Sequence, residues 1–167
     1  MVYIAAVDGL RPTAERIRET LFNWLAPTIA GSRCLDLCAG TGALGFEALS
    51  RGASWVDFVE NGSASLHSLK ANVAAFRVTK KTRIFKRDAI PFVEALEEGA
   101  YDIAFADPPY GSKKLDRVVN RWHEVPFARI LCVEHEREHR LEGKAKRYDF
   151  PGDTRVTVFT SHKRRPK

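Results

Sequence analysis

The sequence predicts an α/β fold of the doubly wound kind: a mostly parallel seven-stranded sheet covered by helices, with an antiparallel pair at its carboxyl-terminal end and an added helix at its start. Three observations predict it. From residue 32 onward, short apolar runs rich in β-branched and aromatic residues alternate with helix-length amphipathic segments, as parallel strands joined by crossover helices do. A glycine-rich turn, Gly40-Thr41-Gly42-Ala43-Leu44-Gly45, follows the first apolar run directly, at the strand-to-helix junction where such folds bind ligands. The end of the chain then changes character, with two β-rich runs flanking Pro151-Gly152-Asp153, a turn signal between antiparallel strands.

Each element follows from its own residues. Thr13 is placed to cap a helix over about 13–26, whose Ile17, Leu21, Trp24 and Leu25 recur at helical spacing and present one stripe to the domain. Strands are expected at 34–38, 55–60, 83–88, 101–107 and 129–133, and helices between them at 43–51, 63–76, 90–98 and 114–123. The closing strands fall at 145–150 and 155–160. A chain of 167 residues fits one domain, 1–167, and contains no internal repeat, low-complexity tract or linker.

Composition narrows the classes. The 27 Lys+Arg outweigh 21 Asp+Glu for a net charge of +6, which favours a polyanionic partner. Lys80, Lys81, Arg83, Lys86 and Arg87 cluster, and Lys163, Arg164, Arg165 and Lys167 form a basic tail, although either group also fits a solvated surface. Three cysteines, all in apolar runs, are too few and too irregular for a disulfide framework, so a reducing, cytoplasmic setting is expected. No apolar run approaches the roughly 18 residues that a membrane helix needs, and no cationic start precedes one.

The run Leu35-Asp36-Leu37-Cys38-Ala39-Gly40-Thr41-Gly42-Ala43-Leu44-Gly45 leads from a buried strand through a tight turn into a helix. Glycines there permit positive φ and let ligand atoms approach the backbone. Glu60 ends the next strand about 20 residues after Gly40, the offset of an acid that accepts hydrogen bonds from ribose hydroxyls. A nucleoside-containing ligand is implied. The literal GxGxxG spacing alone would suggest NAD, but a carboxylate just before the loop, Asp36, repels a pyrophosphate and can hold the ammonium of a methionine moiety. Asp88, expected at the tip of the third strand, could hydrogen-bond an adenine amine, and Ala39, Thr41, Asn61 and Ala89 complete the expected cofactor contacts. Two alternatives stay open: Asp36 can cap the loop, and Asp88 can cap the following helix.

The apolar run Tyr101 to Ala106 stops at Asp107-Pro108-Pro109-Tyr110, and two prolines cannot continue a central strand. The chain must turn at the carboxyl edge of the sheet. Asp107 and the Pro108 carbonyl, fixed side by side, can accept both hydrogens of a planar exocyclic amine and free its lone pair for in-line attack on a sulfonium methyl group. Pro109 stiffens the turn, and Tyr110 is expected to stack on the flipped base.

Arg11-Pro12-Thr13, Arg16, Arg18-Glu19-Thr20-Leu21-Phe22-Asn23-Trp24-Leu25, the run from Leu35 to its Gly45-Phe46-Glu47-Ala48-Leu49-Ser50-Arg51-Gly52 ending, Val59-Glu60 and the Asp107 to Tyr110 turn resemble the bacterial 16S ribosomal RNA guanine-N2 methyltransferase family. The likeness spans Leu10 to Tyr110, with a weaker echo at Gly152-Asp153-Thr154. It implies a class I methyltransferase (Rossmann-like) fold, S-adenosylmethionine as methyl donor, and N2 of a guanine in 16S ribosomal RNA, free or in the assembling small subunit, as acceptor. Family members carry as a rule a longer basic segment, with a pair of Gly and Arg residues, ahead of this helix. Here Met1 to Gly9 stand there, so RNA docking is expected to be weaker or differently arranged.

Arg11, Arg16 and Arg18 on the first helix, and Lys113 and Lys114 just after the catalytic turn, are the expected RNA phosphate contacts. A monomer is expected. Adenine-N6 transfer on RNA or DNA is the rival within methyltransferases, since the DPPY turn fits any planar exocyclic amine; an NAD-linked oxidoreductase and a catalytically silent RNA-binding module are rivals outside it. His135-Glu136-Arg137-Glu138-His139 spells the HExxH zinc pattern, but it follows a strand directly and lacks an apolar helical stripe, so a solvated segment and no metal are expected. Cys34 and Cys38 straddle Asp36 along a strand, too far apart to chelate. His67 and His123 have no partner at a useful spacing.

Overall fold

The structure, a computed structural model, describes residues 12–109, 111 and 113–162. In chain order the elements are α1 (Pro12–Ile29), β1 (Arg33–Leu37), α2 (Ala43–Ser50), β2 (Trp55–Val59), α3 (Ser63–Ala75), β3 (Thr82–Phe85), α4 (Ala89–Glu94), β4 (Tyr101–Ala106), α5 (Lys114–Glu124), β5 (Ala128–Glu136), β6 (Lys146–Asp149) and β7 (Thr154–Thr160), with a 3₁₀ turn at Thr79–Lys81. One seven-stranded sheet has the order β3-β2-β1-β4-β5-β7-β6. Strands β1 to β5 pair in parallel, while β7 lies antiparallel between β5 and β6. The chain winds outward from β1 to β3 and then crosses back to lay β4 on the other side of β1. The winding therefore reverses between β1 and β4, the position where open α/β sheets hold ligands beyond their carboxyl ends.

Both faces are covered, so the central strands read as near-continuous apolar runs. On one face Leu35, Leu37, Ala104, Ala106, Leu131 and Val133 pack with Val93 of α4 and Val118, Val119 and Trp122 of α5. On the other, Cys34, Val56, Phe58, Ile103, Phe105 and Cys132 pack with Phe22 and Leu25 of α1, Phe46 of α2 and Leu69 of α3. Phe22 is fully buried, its ring 5.4 Å from that of Phe105. A side chain buried to that degree contributes about 1.5–3 kcal/mol of transfer free energy, so α1 is built into the sheet's second layer.

Several boundaries differ from the sequence expectation. Helix α1 already includes Pro12, which places Thr13 inside the first turn instead of ahead of it, and the helix continues to Ile29. The first strand ends at Leu37, because Cys38 turns into the left-handed region at φ 56°. Strand β3 stops at Phe85, so Asp88 is not at a strand tip. Helix α4 closes at Glu94, short of the expected residue 98, and a turn with Gly99 at φ 72° leads to β4. The largest change is in β5, which runs on to Glu136 because β7 pairs with it continuously from Ile130–Thr160 to Glu136–Thr154. A ladder of this length carries polar residues that an apolar pattern would place outside the strand. Among the described residues no helix is long and apolar enough to cross a membrane.

Away from the carboxyl edge, the buried Asp57 carboxylate on β2 accepts hydrogen bonds from Tyr101 Oη at 2.6 Å and Trp55 Nε1 at 2.7 Å, and Arg33 lies 3.5 Å from it. Burial pushes the Tyr101 phenol up, which keeps it a donor. Tyr101→Phe removes one donor from a carboxylate that water reaches poorly, so unfolding in urea should show a loss of about 1–3 kcal/mol. Unchanged stability would mean that the Trp55 indole and the Arg33 guanidinium suffice for Asp57.

Candidate functional site

The site grows from two strand ends. Leu37 at the end of β1 lies in register with Val59 of β2 and Ala106 of β4, so whatever follows these three residues meets at one edge. After β1 come the glycine loop and α2, after β2 comes Glu60, and after β4 comes Asp107. All three sequence signals are thereby brought together.

The loop is held by main-chain and side-chain bonds from several elements. Ala39 N–H donates to the Val59 carbonyl at 3.0 Å, and Gly42 N–H donates to the Ala39 carbonyl at 2.8 Å. Gly42 takes φ 91°, and a Cβ there would come within 2.5 Å of the Phe46 ring, so the turn requires glycine twice over. Gly45 is required for a different reason. It lies where α2 crosses β2, and a Cβ would fall 2.3 Å from a Phe58 ring carbon and 2.9 Å from Val56. The backbone of α2 thus approaches the sheet closely enough for Gly45 N–H to donate to the Asp36 carboxylate at 3.0 Å.

Asp36 is 2 % exposed, and its described partner is that Gly45 N–H. Of the two roles left open by the sequence, bracing the loop is the one for which the structure records a bond. Glu60 spreads its carboxylate across the loop: one oxygen accepts from Gly40 N–H at 2.9 Å, the other from Asn61 and Gly62 N–H at 3.0 and 3.1 Å. Asn72 of α3, which the sequence reading did not single out, donates from Nδ2 to the Thr41 carbonyl at 3.1 Å. Nothing in its local sequence marks it, because a lone polar residue on an amphipathic helix is ordinary.

Asp88 stands at the N-cap position of α4 but makes no side-chain capping bond; its carboxylate pairs with Lys114 at 3.3 Å. Lys114, an expected phosphate contact, thus has a protein partner in Asp88, and Lys113 beside it is exposed. Ala89 is buried at the start of the same helix. Arg16 is exposed on α1, while Arg18 is half-buried. Arg11 and Tyr110 lie outside the described residues.

Asp107 and Pro109 are exposed on the turn after β4, and Pro108 is buried beneath it. Protein atoms nonetheless crowd the Asp107 carboxyl: desolvation first, then the charge of Glu134, push it up to about 7. Burial also drives Asp36 well above the usual carboxylate range, against the Gly45 bond, and Asp107 and Glu60 add to the rise. Asp107 and Glu60 therefore set acidic groups against the buried Asp36, an arrangement that favours a cationic neighbour. Cys38, between them, is pushed up by burial to about 11, so it is a neutral thiol.

The HExxH run divides. His135 is a buried strand residue, bonded to Thr157 Oγ1 at 2.7 Å and the Glu136 carbonyl at 2.8 Å, and burial lowers its pKa. The expectation of a solvated segment is thus wrong for its first half, for the reason that β7 extends β5. His139 faces Asp116 at 2.8 Å. Among the described residues no group of His, Cys, Asp and Glu could hold a metal ion. His67 is exposed, and His123 lies against Trp122 and Phe159 with a 3.0 Å contact to the Glu142 carbonyl.

Comparison with known proteins adds independent information. The family model described as conserved hypothetical protein 95 matches residues 2–149. The chain is 43 % identical over 136 residues to the ribosomal RNA small subunit methyltransferase D of Escherichia coli strain K12, an alignment covering 80 % of this chain and 68 % of that protein. A solved Escherichia coli structure, 34 % identical, superposes with a TM-score of 0.79 over 91 % of this chain and 88 % of that one. The T. thermophilus 16S rRNA N2 methyltransferase RsmC, solved with AdoMet and guanosine, shares the fold at 23 % identity, with a TM-score of 0.75 over 95 % of this chain and 45 % of that chain.

Gly45→Ala tests the close approach on which the loop geometry rests. The added methyl must push α2 from β2 and lengthen the bond to Asp36, so a loss of about 1–3 kcal/mol in chemical unfolding is expected. Wild-type stability would show that the Phe58 ring turns aside freely.

Proposed function

The chain belongs to the family described as conserved hypothetical protein 95, and from that membership and the site geometry we propose that it transfers a methyl group from S-adenosylmethionine to the exocyclic N2 amine of a guanine in 16S ribosomal RNA. The observation that carries the reading is the convergence, at the ends of β1 and β4, of a glycine loop braced by carboxylates and an Asp107-Pro108-Pro109 turn. The Escherichia coli relative named above is a small-subunit ribosomal RNA methyltransferase, which supports the substrate class. The 1–167 chain is read as one catalytic domain.

The residues present fit the cofactor. Asp36, Glu60 and Asp107 line the loop with acidic groups that a neighbouring cation would help to ionise, an environment suited to an ammonium and a sulfonium and hostile to a pyrophosphate, which weighs against NAD. Gly40, at φ 58°, has open space where a Cβ would stand, so ligand atoms can reach the main chain. Glu60 remains able to accept from ribose hydroxyls through its free lone pairs. Asp88 and the Ala89 main chain would flank the adenine, with Ala39, Thr41 and Asn61 along the rest of the ligand. When bound, S-adenosylmethionine supplies an electrophilic methyl group.

The protein's own part is positioning. The Asp107 carboxylate and the Pro108 carbonyl accept the two amine hydrogens, which turns the nitrogen lone pair out of the base plane. Pro108, buried under the turn, keeps these acceptors fixed as the nitrogen becomes tetrahedral, so the interaction strengthens toward the transition state. Tyr110 stacks on the extruded base. Arg11, Arg16 and Lys113 steer the RNA backbone by charge.

Asp107→Ala should keep S-adenosylmethionine binding in calorimetry yet lose about 100-fold to 1000-fold in labelled methyl transfer to unmodified ribosomal RNA. Tyr110→Ala should act mainly on apparent RNA affinity, by roughly 1–3 kcal/mol of stacking. Wild-type turnover by Asp107→Ala would rule out this mechanism, and binding of NAD in place of S-adenosylmethionine would rule out the reaction class. Arg16→Glu should lower the slope of log affinity against log salt by about one or more. An unchanged slope removes α1 from the RNA interface.

A further inference from the structure

Nothing in the local sequence marks Glu134, yet the sheet delivers it to the site. Val133 of β5 is the register partner of Ala106 of β4, so the next residues, Glu134 and Asp107, leave that pair of positions side by side. Alternation fixes their face. Ala106 and Val133 pack on the α5 side, and Phe105 and Cys132 on the α1 side. One residue further along, Glu134 returns to the α1 side, and Asp107 leaves β4 at the neighbouring position. A small cleft agrees: Glu134 lines it with Ile17 and Leu21 of α1 and with Ala106, while a second cleft, which also reaches Leu115 of α5, brings Glu134 together with Pro108 and Pro109 of the turn. Antiparallel pairing with Val156 of β7 keeps the Glu134 backbone in the ladder, with the residue half-buried.

We propose that Glu134 is a positioning residue for Asp107, holding its carboxyl as the acceptor of the one proton that methyl transfer releases. The inference rests on the amine-methylating role given to Asp107 above. In the step it serves, the amine nitrogen's lone pair forms the N–C bond, the C–S bond breaks with its electron pair going to sulfur, and an N–H proton passes to Asp107. Glu134's negative charge makes Asp107 a stronger base for that proton.

The surrounding charges are consistent with this task. Desolvation raises both carboxyls, Glu134 raises Asp107 further, and Arg18 of α1 opposes the rise at Glu134. On the far side, Asp107 faces Asp36, which Glu60 also approaches. From β7, Val156 opposite Glu134 is uncharged, and its neighbour Arg155 is paired with Asp149 at 2.6 Å. His135 and Glu136 of β5 line the second cleft with His139, which is bonded to Asp116.

The sign follows directly. Transfer requires Asp107 ionised, so its rate should rise with pH through about 7 in the wild type. Single-turnover methyl transfer under saturating RNA and S-adenosylmethionine, followed from pH 5 to 9, reads that limb. Glu134→Gln removes a negative charge and should move the limb down by about one pH unit or more, with a several-fold lower plateau from a weaker base. Glu134→Asp should return the limb toward the wild-type position. Arg18→Gln removes the cation that opposes the rise at Glu134 and should shift the limb from its wild-type position through Glu134, a readout available even if Glu134→Gln fails to fold. Limbs unmoved in the Gln variants would reduce Glu134 to a structural residue and overturn the proposal. Full turnover by Asp107→Ala would instead overturn the underlying assignment of Asp107.

Discussion

Everything at the site depends on the reversal of winding between β1 and β4. Adjacent parallel strands whose connections run to opposite sides leave no crossover above their shared end, so the carboxyl edge there is open to a ligand. Leu37 and Ala106 meet at that point. The glycine loop and the Asp107 turn, separated by more than sixty positions in the chain, need no further device to become neighbours. The bonds that Asp36, Glu60 and Asn72 make to the loop then decide its shape, while the adjacency itself comes from topology.

That adjacency has an electrostatic cost, met in different ways. Glu60 is compensated by three main-chain N–H groups. Asp36 has one described N–H partner and almost no water, so its proton affinity rises steeply. At Asp107 the charge of Glu134 adds to the desolvation, and at Glu134 Arg18 opposes the rise. Acidic groups crowded in this way favour a cationic neighbour, and the donor binding and proton acceptance proposed above would both draw on this one arrangement.

The antiparallel end of the sheet contributes more than closure. By running beside β5 for seven register pairs, β7 draws Glu134, His135 and Glu136 into the ladder. His135 becomes a neutral core residue with Thr157, and Glu134 is held next to the turn after β4. Of the two histidines that in isolation resemble a zinc pattern, His135 is thereby held in the strand while His139 falls in the turn after it, so the pattern has no chelating helix beneath it.

The α/β class, the strand sequence, the glycine loop and the Asp107 turn were legible from the chain alone, because each depends on local physics: period-2 and helical apolar patterns, glycine where φ is positive or packing is close, proline where a strand must stop. Family likeness over Leu10 to Tyr110 pointed to the same chemistry. What lay beyond the sequence were the facts set by distant partners. The length of β5 depended on β7, the pairing of Asp88 with Lys114 on the meeting of α4 with α5, and the place of Glu134 on the register of two strands. The role of Asp36 as the brace of Gly45 required knowing how closely α2 approaches β2. Local periodicity encodes which face a residue shows, but not which residue of another element stands opposite, since that is chosen by the packing of the whole sheet.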